Sequence, residues 1–368
     1  MTSSPAKVFL HVGTRKSGTT SLQKSLLSSA GVLADHGVHV LFPDRAVARV
    51  QLMAGLRRLR DHGEEAPAAE AVRGLVEEVR GHDAPAHVLS LETLAEMPRP
   101  VTDLVVGALA DFEVHVIVTA RHWGLTIPSE WQQGIKSRWK VSYADFIEAI
   151  RVRDEQAAGF LARQDLGDII DRWGALLPRE QVHVVACPPR SRTEGTLFEL
   201  FAAVVGFDPA LLGSGDVSHN TSLSLAQAEM LRRVNSVLGE RLQLSTGEYQ
   251  QAIRRWLVRR SGIRHEGTSI AVPDGFAGWV ADEARSQLDA VRTRGVDIVG
   301  QAEDLLPPDE MRTGPISVAD DEVAVTAIET IADLADRYVA DVTELEGKVA
   351  RLKAERKRLR AELRQLGK

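Results

Sequence analysis

The sequence predicts an α/β fold: a parallel sheet of about five strands, a set of C-terminal helices around it and a terminal coiled coil. Three observations predict this. Five short runs rich in β-branched residues lie within the first 187 residues. Helical patterns alternate with them, as in a sheet whose parallel strands are joined by helices. Residues 325–368 repeat apolar positions at alternating three- and four-residue steps.

The five runs are residues 7–13, 38–42, 87–92, 114–120 and 181–187. Each is nearly continuous in apolar character, the pattern of a strand buried on both faces. Between them, residues 19–30 carry Leu22, Leu26 and Leu27, with Gly31 as a stop. Residues 68–80 carry Val72, Leu75, Val76 and Val79, and residues 100–109 form a shorter helix. Residues 142–150 open with Ser142 and Asp145 at capping-box spacing.

After Cys187 the pattern is helical only, over 194–205, 223–238, 247–260 and 274–293, and these segments are expected to pack around the sheet. Residues 304–321, with Pro307, Pro308, Gly314 and Pro315, read as a linker. The domains expected are therefore 1–308, a linker at 309–324 and a helix at 325–368. In that helix Ile328, Ile331, Ala335, Tyr338, Val342, Leu345, Val349, Leu352, Leu359, Leu363 and Leu366 form the seam, and Arg356 alone breaks it. A homodimer through this seam is expected; a single solvated helix folded back on the domain is the other reading.

Composition narrows the function classes. Net charge is −6, so no global attraction to nucleic acid or anionic membrane is expected. One cysteine, Cys187, excludes an intramolecular disulfide and fits a reducing compartment. The first residues lack the basic start and apolar stretch of a signal peptide, and no run approaches the roughly 20 apolar residues of a membrane helix. A cytoplasmic protein is expected. Arg exceeds Lys and Ala and Gly are abundant, the composition of a GC-rich bacterial genome.

The most informative segment is residues 8–21, Val-Phe-Leu-His-Val-Gly-Thr-Arg-Lys-Ser-Gly-Thr-Thr-Ser. It sets a glycine-containing loop between a strand and a helix, where backbone N–H groups and the helix dipole favour an anion. Gly13 and Gly18 permit close approach, and Thr19 and Thr20 add hydroxyls. The spacing is P-loop-like, which implies a three-layer nucleotide-binding arrangement. The triphosphatase pattern, however, wants lysine directly after the second glycine. Here Thr19 stands there, and the lysine is Lys16.

Lys16-Ser17-Gly18-Thr19-Thr20 resembles the 5′-phosphosulfate loop of sulfotransferases that use 3′-phosphoadenosine 5′-phosphosulfate (PAPS). A second match is Arg121, at the end of the run 116–120, with Ser129 eight positions later. In that family this pair holds the 3′-phosphate, and an Arg–phosphate contact is worth about 1.5–3 kcal/mol. The other readings are an Arg in a surface ion pair and Ser129 as a plain helix N-cap after Pro128. The resemblance covers about residues 7–308. It is closest to a bacterial branch, in Thr119-Ala120-Arg121, Ile127-Pro128-Ser129-Glu130-Trp131-Gln132 and Asn220-Thr221-Ser222-Leu223.

The resemblance implies sulfuryl transfer from PAPS to an acceptor hydroxyl or amine, leaving 3′,5′-adenosine bisphosphate. Arg15 and residues Ser17, Gly18, Thr19 and Thr20 would bind the cofactor, and Lys16 would both bind it and stabilise charge on the leaving oxygen. No metal is implied, and the sequence shows no Cys/His cluster at ligand spacing. An acceptor base is implied. Glu92, closing the third run, is the first candidate; Asp44 and His122 are the others, and a structural ion pair is the alternative role for Glu92. Related bacterial sequences often have His before this Glu, where Leu91 stands here.

Arg190 and Arg192 could add charge near the 3′-phosphate, and Trp131 and Trp139 could shape an acceptor pocket or simply pack. His11, His39, His115 and His183 lie within strands and read as satisfied core or edge residues. Two other functions stay open: a small-molecule kinase of the P-loop type, and a cofactor-binding scaffold without turnover. The acceptor is not identified.

Overall fold

A computed structural model describes residues 5–189, 191–213, 222–241, 245–249 and 267–366. The chain divides into two compact units: Met1–Glu130, Ala144–His219 and Ala271–Gly314 form the first, and Trp131–Tyr143, Asn220–Ile270 and Pro315–Lys368 the second.

In the first unit lie the strands β1 (Lys7–Gly13), β2 (Val38–Val40), β3 (Ala86–Ser90), β4 (Glu113–Ala120), β5 (Val182–Ala186), β6 (Val272–Pro273), β7 (Asp297–Val299) and β8 (Thr313–Gly314). Six of them build one all-parallel sheet in the order β2-β3-β1-β4-β5-β7, and β6 and β8 form a separate parallel pair. The protein is thus α/β with a parallel sheet, of six strands where about five were expected. The added β7 is a three-residue edge strand with Asp297 exposed, too short and polar to register as an apolar run. Together with β6 and β8 it also corrects the expectation of helices alone after Cys187. β2 ends at Val40, because Phe42 turns to φ 55 and gives its N–H to the carboxylate of Glu78.

Residues on β1 explain the burial. Val8, Leu10 and Val12 enter the cluster on one face, with Leu89, Val116 and Val184, while Phe9 joins Ile117, Val185 and Phe201 on the other. Alternate side chains on a strand point to opposite faces, so a strand covered on both sides must be apolar throughout.

The helices are α1 (Thr19–Ser28), α2 (Ala30–Asp35), α3 (Ala46–His62), α4 (Glu65–Arg80), α5 (Arg99–Ala108), α6 (Trp123–Ile135), α7 (Tyr143–Arg151), α8 (Ala158–Gln164), α9 (Leu166–Trp173), α10 (Leu197–Val205), α11 (Leu225–Arg241), α12 (Thr246–Tyr249), α13 (Ala277–Arg294) and α14 (Asp320–Leu366). The expected helix at 19–30 breaks at Ser29, and Gly31 lies inside α2 rather than ending α1. The arginine-rich α3 was not expected. It packs closely on α4, where a Cβ on Gly55 would fall 2.6 Å from Ala71. The segment expected as a helix at 247–260 lies outside the described residues beyond Tyr249.

In the second unit Asn235 of α11 donates to the carbonyls of Ile135 and Trp139, at 2.8 and 3.0 Å, and accepts from the Tyr249 hydroxyl. The helix α14 packs against α11, Val323 and Thr330 are buried near its start, and Arg233 pairs with Asp320 at 2.6 Å. No helix among the described residues is long and apolar enough to cross a membrane.

Candidate functional site

The site grows from the exit of β1, which lies between β3 and β4 in the sheet. Ligands of open α/β sheets bind outside the carboxyl ends of the strands. Gly13 there has φ 135, and a Cβ on it would lie 3.0 Å from the Ala95 Cβ and 3.1 Å from the Glu92 carbonyl. Only glycine lets the chain pass so close under the segment leaving β3. Gly18 caps α1 at φ 89, where a Cβ would fall 2.6 Å from Leu197. Lys16 also takes positive φ, 68, a conformation that costs a side-chain-bearing residue about 1–2 kcal/mol.

Thr119 of β4 fastens this loop. Its carbonyl accepts the Thr14 N–H at 2.6 Å and its hydroxyl donates to the Gly13 carbonyl at 3.0 Å. The same hydroxyl lies 2.6 Å from Ser17 Oγ and 3.1 Å from His11 Nε2. The other nitrogen of His11 meets the Ser90 hydroxyl at 2.6 Å, and complete burial pushes this histidine down to about 3. It is a neutral spacer across β3, β1 and β4, a satisfied core residue as expected. His115 and His183 are satisfied too, through each other, Glu113 and Asp297.

The loop hydroxyls divide. Ser17 is fully buried and donates to the Thr14 carbonyl at 2.5 Å, so in this structure it shapes the loop rather than facing outward. Thr19, also buried, donates to the carboxylate of Glu92. Thr20 is exposed on the first turn of α1, where helical N–H groups lack intrahelical acceptors.

Glu92 opens the 3-10 turn Glu92–Glu96 just beyond β3, and its other oxygen lies 3.8 Å from Arg15 Nε. Arg15 Nε lies equally close to Glu130, a carboxylate only 2 % exposed that also pairs with Arg163 at 3.4 Å. Gln164 holds the Arg15 carbonyl at 2.8 Å.

One feature of these residues stands out chemically. Among the described residues, eight buried side-chain nitrogens or oxygens lack a hydrogen-bond partner, and His87 supplies one. The other seven belong to Thr14 and Arg15 on the loop, to Arg121, His122, Thr126 and Glu130 just past β4, and to Arg163. Buried polar groups in folded proteins are nearly always bonded. Two of these atoms, Arg15 Nε and Glu130 Oε1, face each other at 3.8 Å, so part of the set is an internal ion pair.

Arg121 directly follows β4, as expected. Beside it burial pushes the Cys187 thiol up to about 12, with Arg121 pulling the other way. His122 is lowered to about 4, first by burial and then by Arg121, and is therefore an uncharged imidazole near neutral pH. Ser129 differs from expectation: it lies in the second turn of α6, not at a helix start. Helix α6 begins at Trp123 and carries Pro128 inside it, so the proline does not mark an N-terminus.

Arg192 is held by both oxygens of Asp304, at 2.6 and 2.8 Å, so it is a structural ion pair rather than a phosphate ligand. Arg190 lies outside the described residues, as do Asn220 and Thr221. Trp131 is fully buried, donates to the Val141 carbonyl and packs on Tyr143. Trp139 covers Gly134, so both tryptophans pack. Asp44 is exposed on the turn after β2.

Sequence reasoning quoted Thr119 and Glu130 within the family-like segments but missed their roles, and it missed Arg163. Glu130 had a visible signal: it is the one charged residue of α6, set between Ile127 and Trp131. It also missed a meeting of His39, Glu78 and His82, whose ligand-type atoms lie within 4.8 Å of one another. The rings of His39 and His82 stack at 3.7 Å and 16°, so their in-plane lone pairs run side by side instead of converging on one ion.

Compared with protein-family models, curated proteins and solved structures, the chain matches none.

Proposed function

We propose that this protein is a PAPS-dependent sulfotransferase whose P-loop-like cradle runs from Gly13 to Thr20. The observation that carries the proposal is the strand–loop–helix turn with Gly13 and Gly18 at positive φ, next to Arg121 directly past β4, whose Nε is buried without a hydrogen-bond partner. Arg15 and Arg163 already lie against carboxylates of Glu92, Glu96 and Glu130; Arg121, with no carboxylate partner among the described residues, is the guanidinium an anion would meet.

When bound, the cofactor would supply an activated sulfuryl group. The N–H groups of Thr19 and Thr20 and the Thr20 hydroxyl would bind the 5′-phosphate end. Arg121 would hold the 3′-phosphate, with Ser129 on the adjoining helix. Lys16 would face the oxygen that gathers charge as the sulfur–oxygen bond breaks. Glu92 would take the acceptor's proton as the new bond to sulfur forms.

A second reading has one observation in its favour. The Thr19 hydroxyl touching Glu92 pairs a helix-start hydroxyl with a carboxylate at a strand end, as phosphate-transferring loops do around Mg²⁺. Against a kinase stands the position of Lys16 before Gly18 rather than after it. The test is turnover: sulfur-labelled cofactor incubated with panels of phenol, glycan, lipid and polyketide acceptors and with bacterial extract. Label moving to an acceptor without added Mg²⁺ supports the proposal. Phosphoryl transfer from ATP with Mg²⁺, and none of sulfur, replaces it with the kinase reading.

A further inference from the structure

The seam of α14 remains exposed along most of its length: Ile328, Tyr338, Leu345, Leu352 and Leu363 are each more than half accessible. α14 also packs on α11, and its buried residues Val323 and Thr330, seven apart, lie on a side of the helix other than the seam. The charges along the helix fall into two blocks that meet at Gly347. From Asp320 to Glu346 there are nine acidic side chains and one basic; from there to Leu366 there are eight basic and two acidic.

We infer that α14 pairs with α14 of a second copy of this chain in antiparallel orientation, acidic half against basic half. The inference is independent of the nucleotide reading. Only a reversed partner brings the two blocks together along their whole length; a parallel partner sets acid beside acid and base beside base.

The seam itself selects the register. With the two-fold axis between residues 343 and 344, at the middle of the helix, Ile328 meets the partner's Leu359, Ala335 meets the partner's Leu352 and Tyr338 meets the partner's Val349. Arg356 falls opposite the partner's Ile331, where its stem packs and its head reaches water. Asp341 flanks the partner's Lys348, and the reverse. A parallel dimer would set Asp341 beside the partner's Glu346 and Lys348 beside the partner's Lys353, like charges on both flanks. Sliding the antiparallel pair by one heptad either way sets Asp341 or Lys348 against itself.

Two measurements on the full chain test this. Ala335→Cys and Leu352→Cys are made separately, with buried Cys187 retained. On mild oxidation a disulfide-linked dimer is expected only when the two variants are mixed. Self-crosslinking of either variant alone would mean a parallel pair and overturn the inference, as would a chain of monomer mass in light scattering at tens of micromolar. Because a seam cysteine could weaken pairing, a charge exchange provides the second measurement. Asp341→Lys should weaken dimerisation about tenfold, and adding Lys348→Asp should restore it. A parallel dimer would instead be strengthened by Asp341→Lys alone, which also overturns the inference.

Discussion

The hydroxyl of Thr19, the first residue of α1, donates to the carboxylate of Glu92, which follows β3. The residue expected to greet a phosphate and the residue expected to take a proton are therefore already bonded to each other. In the proposed site a bound cofactor would compete with this contact for the Thr19 hydroxyl. Glu92→Gln keeps the shape and removes the basicity, so sulfuryl transfer should fall about 10²–10⁴-fold, with cofactor affinity nearly unchanged. Near-normal transfer would take Glu92 out of the mechanism and leave His122, neutral beside Arg121, as the group to test.

Arg121 supplies one of the unsatisfied guanidinium nitrogens. Arg121→Ala should abolish the preference for 3′,5′-adenosine bisphosphate over AMP, because only the former has a 3′-phosphate. Calorimetry of both nucleotides reads this out. An intact preference would move the 3′-site elsewhere.

Lys16 is expected to act on charge that develops during transfer, not on the bound state. Lys16→Ala should remove most turnover while product affinity stays within a few-fold of the parent. Equal losses in rate and affinity would make Lys16 a ground-state phosphate ligand. The parent's positive φ at this position, 68, makes alanine no easier there than lysine, so the comparison is of side chains.

Acid should destabilise the fold well above the carboxylate range. His11 is held at about 3 and His122 and His87 at about 4, each mainly by burial. The unfolded chain binds those protons near 6.5, the folded chain does not, so stability is full above 6.5 and falls as pH drops toward 4. Each such histidine contributes up to about 1.4 kcal/mol per pH unit. Urea unfolding between pH 7.5 and 4.5 should show this slope, and His11→Asn should flatten it. Stability that is constant or rises over that interval would contradict the burial of these histidines.

The sheet was legible because strands such as β1 are buried on both faces, and an apolar run announces that directly. The loop was legible because glycine at residues 13 and 18 answers a geometric demand that no other residue meets. Helix α3 was not, since its buried side, Leu52, Met53, Gly55 and Leu56, is narrow and its arginines read as surface. The inner half of the site was hidden for a different reason. Glu130 and Arg163 are 33 residues apart in sequence, and only folding sets them together. The position of Ser129 was misread because Pro128 looks like a helix start, while α6 begins at Trp123 and carries the proline within it.

The proposed function requires the β1 loop and Arg121 to bind an adenosine nucleotide with phosphates at both 3′ and 5′ positions. Isothermal titration of the full-length protein with 3′,5′-adenosine bisphosphate, in EDTA and without Mg²⁺, tests it most directly. The account predicts saturable one-to-one binding, and a rise in Tm that grows with ligand concentration. No heat with the bisphosphate, alongside binding of ATP that requires Mg²⁺, would contradict it.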